Sequence, residues 1–213
     1  MGKGLVAADI NTVRWQDFRG MNSGIVLFYE SDSVAALPIR EIPESLPSDV
    51  VPEPNYETMS FGYFGCKSSK VRNAIAKKKH RYIFLMTKYV GSEIDFTDEF
   101  YITGYYRIKQ TADVLKVHMR YLNEYSCLGE DKCIAFRADD GAFVKIEDAM
   151  KVTPQLLAKW GVSTRITRQS RMELSDETTA ELIAYLKSKP NAIAEYIEET
   201  KHLSPVIEED EDE

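Results

Sequence analysis

Apolar residues along the chain fall into short unbroken runs, alternating runs and runs of helical spacing, and each kind predicts a different element. Ile25-Val26-Leu27-Phe28-Tyr29 and Tyr82-Ile83-Phe84-Leu85-Met86-Thr87 have no polar alternation, so they predict strands covered on both faces. Residues 60–65 alternate small and aromatic side chains, which places Phe61, Tyr63 and Gly65 on one face of a strand and Gly62 and Phe64 on the other. The run over 101–108 predicts a further strand, with Ile102, Gly104, Tyr106 and Ile108 on one side and Tyr101, Thr103, Tyr105 and Arg107 on the other. Residues 114–119 and 121–125 carry a weaker strand pattern. Cys133-Ile134-Ala135-Phe136-Arg137-Ala138 reads as a strand, Asp139-Asp140-Gly141-Ala142 as a turn, and Phe143-Val144-Lys145-Ile146 as its returning partner in a hairpin.

Helical spacing occurs in four places. Ser68 or Ser69 caps a segment in which Val71, Ala74 and Ile75 share one face and the lysines point outward. Thr153-Pro154 opens a second helix whose apolar face, Leu156, Leu157 and Trp160, stops at Gly161. Ser175-Asp176-Glu177 opens a stronger one, with Ala180, Leu182, Ile183, Tyr185 and Leu186 running toward Pro190. Residues 191–200 form the last. Five of the eight prolines fall in 31–54, where fixed φ and missing donors predict an irregular excursion. The whole is an α+β chain, for which periodicity alone does not choose between a barrel and a mixed sheet.

Composition narrows the class. With 213 residues, 44% hydrophobic and 29% charged, the chain has the make-up of an ordinary globular protein. No apolar run is long enough to cross a bilayer, and residues 1–10 lack a basic start followed by an apolar segment, so the expectation is a cytoplasmic protein with no membrane partner. Cys66, Cys127 and Cys133 match no zinc spacing and read as reduced thiols. The net charge of −7 argues against a nucleic-acid partner until its distribution is considered. Six acids are the last six residues, and without them the balance is about −1. Between Glu57 and Glu93 there is no acidic residue, while Lys67, Lys70, Arg72, Lys77, Lys78, Lys79, Arg81 and Lys88 supply eight positive charges.

That polarised segment carries the candidate chemistry. Cations beside serine hydroxyls at a helix start bind phosphate through charge, hydroxyl donors and the helix dipole; the bland alternative is a solvated helix face. Tyr63, Phe64, Tyr82, Tyr89, Tyr101, Tyr105 and Tyr106 crowd the same region, and aromatic faces hold unstacked bases, although strands favour aromatics for packing alone. Catalytic signatures are absent from the sequence: there is no Gly-x-Ser-x-Gly, phosphate-loop lysine motif, His-Glu-x-x-His or Cys-x-x-Cys. His80 sits in a lysine run and His202 by the tail, leaving His118 as the candidate base. Asp139-Asp140 and Glu147-Asp148 read as a turn and a helix entry.

The order of elements resembles the PUA-like superfamily, which includes the EVE, ASCH and YTH domains and the nucleotide-modification-associated domains of prokaryotes and phages. The resemblance rests on the glycine and aromatic strand, on Cys66-Lys67-Ser68-Ser69-Lys70-Val71-Arg72 leading a helix, and on 82–89 and Ile102-Thr103-Gly104-Tyr105-Tyr106-Arg107-Ile108. It covers about 25–110; the proline-rich insertion and the acidic stretch 93–99 depart from it. It implies a small mixed or antiparallel β-barrel flanked by helices: a domain over 1–150 with the insertion 31–54, a helical region 151–203 packed on it, and a disordered acidic tail 204–213. The implied function is recognition of a modified or flipped base in DNA or RNA, with no cofactor. Trp15, Tyr63, Phe64 and Tyr105 would form the cage, and Lys67, Ser68, Lys70, Arg72, Lys77 and Lys79 would grip phosphates. Two other readings stand beside it. One is a non-enzymatic accessory protein of a phage or archaeon whose acidic tail competes for a basic partner or mimics nucleic acid; the other is a metal-dependent nuclease using Asp95 or Asp98 with Glu99.

Overall fold

The two unbroken apolar runs form the middle of a twisted sheet. The computed structural model describes residues 15–29, 60–66, 77, 79–88, 99–115, 132–162, 166 and 172–200, the backbone alone for 60–66, 112–115, 132–135 and 199–200. In chain order the strands are β1 (Gln16–Asp17), β2 (Met21–Phe28), β3 (Ser60–Cys66), β4 (His80–Lys88), β5 (Phe100–Leu115), β6 (Lys132–Phe143), β7 (Met150–Lys151) and β8 (Met172–Leu174). They pair in the order β3-β6-β5-β4-β2-β8, and the two-residue strands β1 and β7 both pair with β5. β2 and β4 are parallel, with Ile25 opposite Ile83 and Leu27 opposite Leu85; the other pairings are antiparallel. The fold is α+β. The expected barrel is not closed among the described residues: β3 and β8 end the path, and no pairing joins them.

Both faces of this sheet are buried, as the unbroken runs predict. One face gathers Ile25, Leu27, Ile83, Leu85, Tyr106, Ile108, Phe136 and Phe143; the other gathers Val26, Phe84, Met86, Ile102, Tyr105, Val144, Met172 and Leu174. Alternation is therefore strict along β2 and β4, but Ile102 shares a face with Tyr105 and not, as its spacing suggests, with Tyr106. The reason is a register shift between Leu85 and Met86, where the extra residue on β5 inverts the phase of side chains beyond it.

A second departure concerns the expected hairpin over 133–146. β6 runs unbroken through Asp139-Asp140-Gly141-Ala142 and pairs with β5, with Arg107 opposite Asp140 and Tyr106 opposite Gly141. Turn-forming residues are tolerated there because their charges are met from neighbouring elements. Arg107 Nε donates to Asp139 at 2.8 Å, and Asp140 accepts from Lys187 Nζ and from the Tyr105 hydroxyl, each at 2.9 Å.

The C-terminal part supplies helices and an edge strand. In α1 (Pro154–Lys159) the Thr153 hydroxyl caps the Leu156 amide, and Gly161, at φ 69, ends the helix in the left-handed region that glycine adopts without penalty. In α2 (Asp176–Lys187) Ser175 caps the Thr178 amide, and Leu182 and Leu186 bury against one sheet face. In α3 (Ile193–Thr200) Tyr196 joins the opposite core, its ring 5.8 Å from Phe143, with Ile193 and Ile197 packed beside it. Residues 151–203 thus contribute β8 as well as helix. Among the described residues no helix is long and apolar enough to cross a membrane.

Candidate functional site

Parallel pairing sets two strand starts side by side. Met21 lies opposite His80, so the residues that precede each strand meet at one edge of the sheet. The Met21 amide donates to the Lys79 carbonyl at 2.9 Å, and Arg81 Nη2 donates to the Gly20 carbonyl at 3.1 Å. The approach requires glycine: a Cβ on Gly20 would sit 2.3 Å from the Lys79 carbonyl oxygen and from Phe18 Cε1. Lys79 itself holds φ at 58, the left-handed region that a lysine enters only at a cost. The result is a cleft of about 690 Å³ lined by Arg19, Gly20, Met21, Lys77, Lys79, His80, Arg81 and Glu173.

Its electrostatics are strongly one-sided. Four cationic side chains face one carboxylate, leaving three positive charges in excess, His80 aside. Arg19, Lys77 and Lys79 are exposed, whereas Arg81 is half-buried, with its guanidinium 6.0 Å from the centre of the Phe18 ring. Arg81 Nε is buried and makes no hydrogen bond among the described residues. A guanidinium at the cleft wall with one arm fixed on the backbone suits an oxygen-rich anion.

Behind the cations lies a short polar chain. The Ser23 hydroxyl is 2.8 Å from His80 Nδ1, and His80 Nε2 is 3.7 Å from Glu173 Oε2. Ser23 and His80 are buried, at 6% and 4% exposure, while the Glu173 side chain is 46% exposed at the cleft surface. β8 places it there: Met172 and Leu174 enter the core, so period-two alternation turns Glu173 out.

Of the residues expected to grip phosphate, Lys77 and Lys79 line this cleft together; Lys67, Ser68, Lys70 and Arg72 lie outside the described residues. The expected aromatic cage is not assembled by the side chains described. Tyr105 is a correction: it is fully buried, its ring 6.1 Å from Phe84 and its hydroxyl on Asp140, so it packs the core and offers no face to a base. Burial pushes its hydroxyl pKa up to about 12, and the bond to Asp140 adds to the rise. Trp15 is half-buried just before β1 and already carries the Arg137 guanidinium 4.3 Å from its ring centre. Tyr63 and Phe64 belong to β3, where the backbone alone is described. Glu99, from the nuclease alternative, is tied to Lys151 and accepts from the Tyr101 hydroxyl at 3.1 Å, while Asp95, Asp98 and His118 lie outside the described residues.

The sequence reading passed over Arg19, Arg81, His80 and Glu173 as contacts. Arg81 and His80 stood within the basic run, and that run was the signal for them; nothing local marks Arg19 or Glu173. No protein-family model matches the chain, and neither a curated protein nor a solved structure does. What the fold and site define is a doubly covered α+β sheet with a cationic cleft at the start of its parallel strand pair.

Proposed function

We propose that the chain is a nucleic-acid-binding module that grips backbone phosphate in the cationic cleft. The observation that carries this reading is the convergence of Arg19, Lys77, Lys79 and Arg81, from two chain segments, around a volume of about 690 Å³. That volume lies within the roughly 300–1,000 Å³ of small-ligand sites. The finer form, in which a PUA-like barrel reads a modified or flipped base, places that base beside the cleft. Trp15, four residues before Arg19, remains its stacking candidate; Tyr63 and Phe64 lie on β3, at the other end of the strand order from β4, β2 and β8.

The test is fluorescence anisotropy with short single- and double-stranded DNA and RNA, with and without modified bases, at two salt concentrations. Four phosphate contacts on a single strand give log Kobs a slope of about −3 against log salt. Arg19→Glu and Lys79→Glu each weaken binding across sequences and each reduce that slope by about 1. An absence of binding at low salt, or binding indifferent to both reversals, overturns the proposal and directs the cleft to an acidic protein partner.

A further inference from the structure

A cleft built only to attract phosphate has no use for a carboxylate, because Glu173 cancels one of its four cations and repels the ligand's charge. Its placement is nevertheless maintained by two strands. Glu173 sits on β8 opposite Ile25, and His80 Nε2 approaches its Oε2 to 3.7 Å from the first residue of β4. His80 is in turn fixed by the buried Ser23 hydroxyl at 2.8 Å from Nδ1. A carboxylate so positioned at 46% exposure, within a cation-lined cleft, can only accept hydrogen bonds. The matching ligand therefore presents an anion and a hydrogen-bond donor side by side.

We propose that Glu173, placed by β8 at the cleft surface, accepts a hydrogen bond from the ribose 2′-hydroxyl next to a bound phosphate, so that the cleft selects ribonucleotide units over deoxyribonucleotide units. The proposal rests on the phosphate-gripping reading above and assigns to the same site its discrimination between RNA and DNA. The 2′-hydroxyl is the group that distinguishes the two sugars, and it lies on the carbon adjacent to the 3′-phosphate ester. Phosphate on Arg19, Lys77, Lys79 and Arg81 thus brings a donor to the carboxylate when the sugar is ribose. With deoxyribose the carboxylate loses water and gains no donor from the sugar. The cations supply affinity without regard to the sugar.

The decisive measurement compares the affinity of the full chain for RNA, DNA and 2′-O-methyl RNA of one sequence, with a ribonucleoside 3′-monophosphate and its 2′-deoxy counterpart as single-unit probes. RNA is expected to bind about tenfold or more tightly than DNA, since a hydrogen bond to a charged group has that worth. The 2′-O-methyl strand should behave like DNA, and the mononucleotide pair shows whether one unit suffices or a chain is needed for the same discrimination. Glu173→Ala, at an exposed position, should erase the preference from both directions: RNA binding falls while DNA binding rises as the repulsion disappears. Glu173→Gln, which keeps an acceptor without the charge, should retain part of the preference, whereas Lys79→Glu should weaken RNA and DNA alike. Equal affinity for the two sugars, or a preference that survives Glu173→Ala, overturns the proposal while leaving the phosphate grip in place. If no probe binds, both readings fall together.

Discussion

Lys79 stores backbone strain at the mouth of the cleft, and removing that strain should separate stability from binding. Its φ of 58 is the one positive value at a non-glycine residue among those described. An L-residue in that region brings Cβ against the following carbonyl at a cost of about 1–2 kcal/mol. Lys79→Gly removes the conflict, while the added freedom of glycine in the unfolded chain takes back roughly 0.5–1 kcal/mol. The backbone bond from the Met21 amide to the Lys79 carbonyl, 2.9 Å long, needs no side chain and is retained. The balance is a gain of about 0.5–1 kcal/mol, or a rise of about 1–4 °C in Tm for a chain of this length. Gly161→Ala is the control with the opposite sign. At φ 69 its new methyl meets no atom within 4 Å, so the backbone penalty of about 1–2 kcal/mol is offset only by roughly 0.5–1 kcal/mol from the stiffer unfolded chain, a net loss of about 0.5–1 kcal/mol. Urea unfolding with unchanged slopes measures both, and anisotropy follows nucleic-acid affinity, which Lys79→Gly should lower by deleting a cleft cation. The reasoning is refuted if Lys79→Gly destabilises the chain, or if the two substitutions shift stability in the same direction.

Three further outcomes test the arrangement. Gly20→Ala should cost about 2–3 kcal/mol in urea unfolding and weaken binding as well, because a methyl 2.3 Å from the Lys79 carbonyl forces apart the two strand starts that make the cleft. The raised pKa of Tyr105, about 12, means that its hydroxyl stays neutral in the fold while the unfolded chain ionises from about 10; stability is therefore full below pH 10 and lost as pH rises toward 12. Tyr105→Phe should flatten that alkaline loss in part, with the remainder kept by Tyr101, through its own rise to about 12, and by Tyr29, whose hydroxyl burial raises further. Asp140 has the reverse sign: burial raises its carboxyl, but the hydrogen bonds from Lys187 and Tyr105 outweigh burial and hold it below the ordinary aspartate value of 3.8. Its contribution is thus present above about pH 4 and lost as the solution becomes more acid, and Asp140→Asn should remove this part of the acid unfolding profile.

The central strands were legible because they are buried on both faces, which leaves unbroken apolar runs such as Ile83-Phe84-Leu85-Met86 in the sequence. The helix starts were legible for a local reason, since Thr153 and Ser175 cap the third residue onward. Asp139-Asp140-Gly141 misled because turn chemistry is read locally, whereas the partners that keep it extended, Arg107 and Lys187, lie 32 and 47 residues away. Tyr105 misled because aromatic type does not reveal burial. The cleft was half legible. Lys77, Lys79 and Arg81 announce themselves as a run of charge, but Arg19 joins them only through a parallel pairing, and parallel strands are always joined by a long crossover.

Glu173 shows how far the site depends on the rest of the fold. β8 is three residues long and among the described residues pairs with β2 alone, too short an edge strand to hold position by its own ladder. Its anchorage comes from Met172 and Leu174, both 3% exposed in the core that Leu182 and Leu186 of α2 complete. Close contact at the β2 end of that packing is set by Gly24, where a Cβ would lie 2.6 Å from Phe84 and 3.0 Å from the Thr179 hydroxyl of α2. The carboxylate is therefore held by the apolar packing of a helix that does not line the cleft, while the cations are held by the parallel pair. Loosening α2 should release Glu173 and leave the four cations where they are, so selectivity for the sugar is the property that weakens first and phosphate affinity the one that persists.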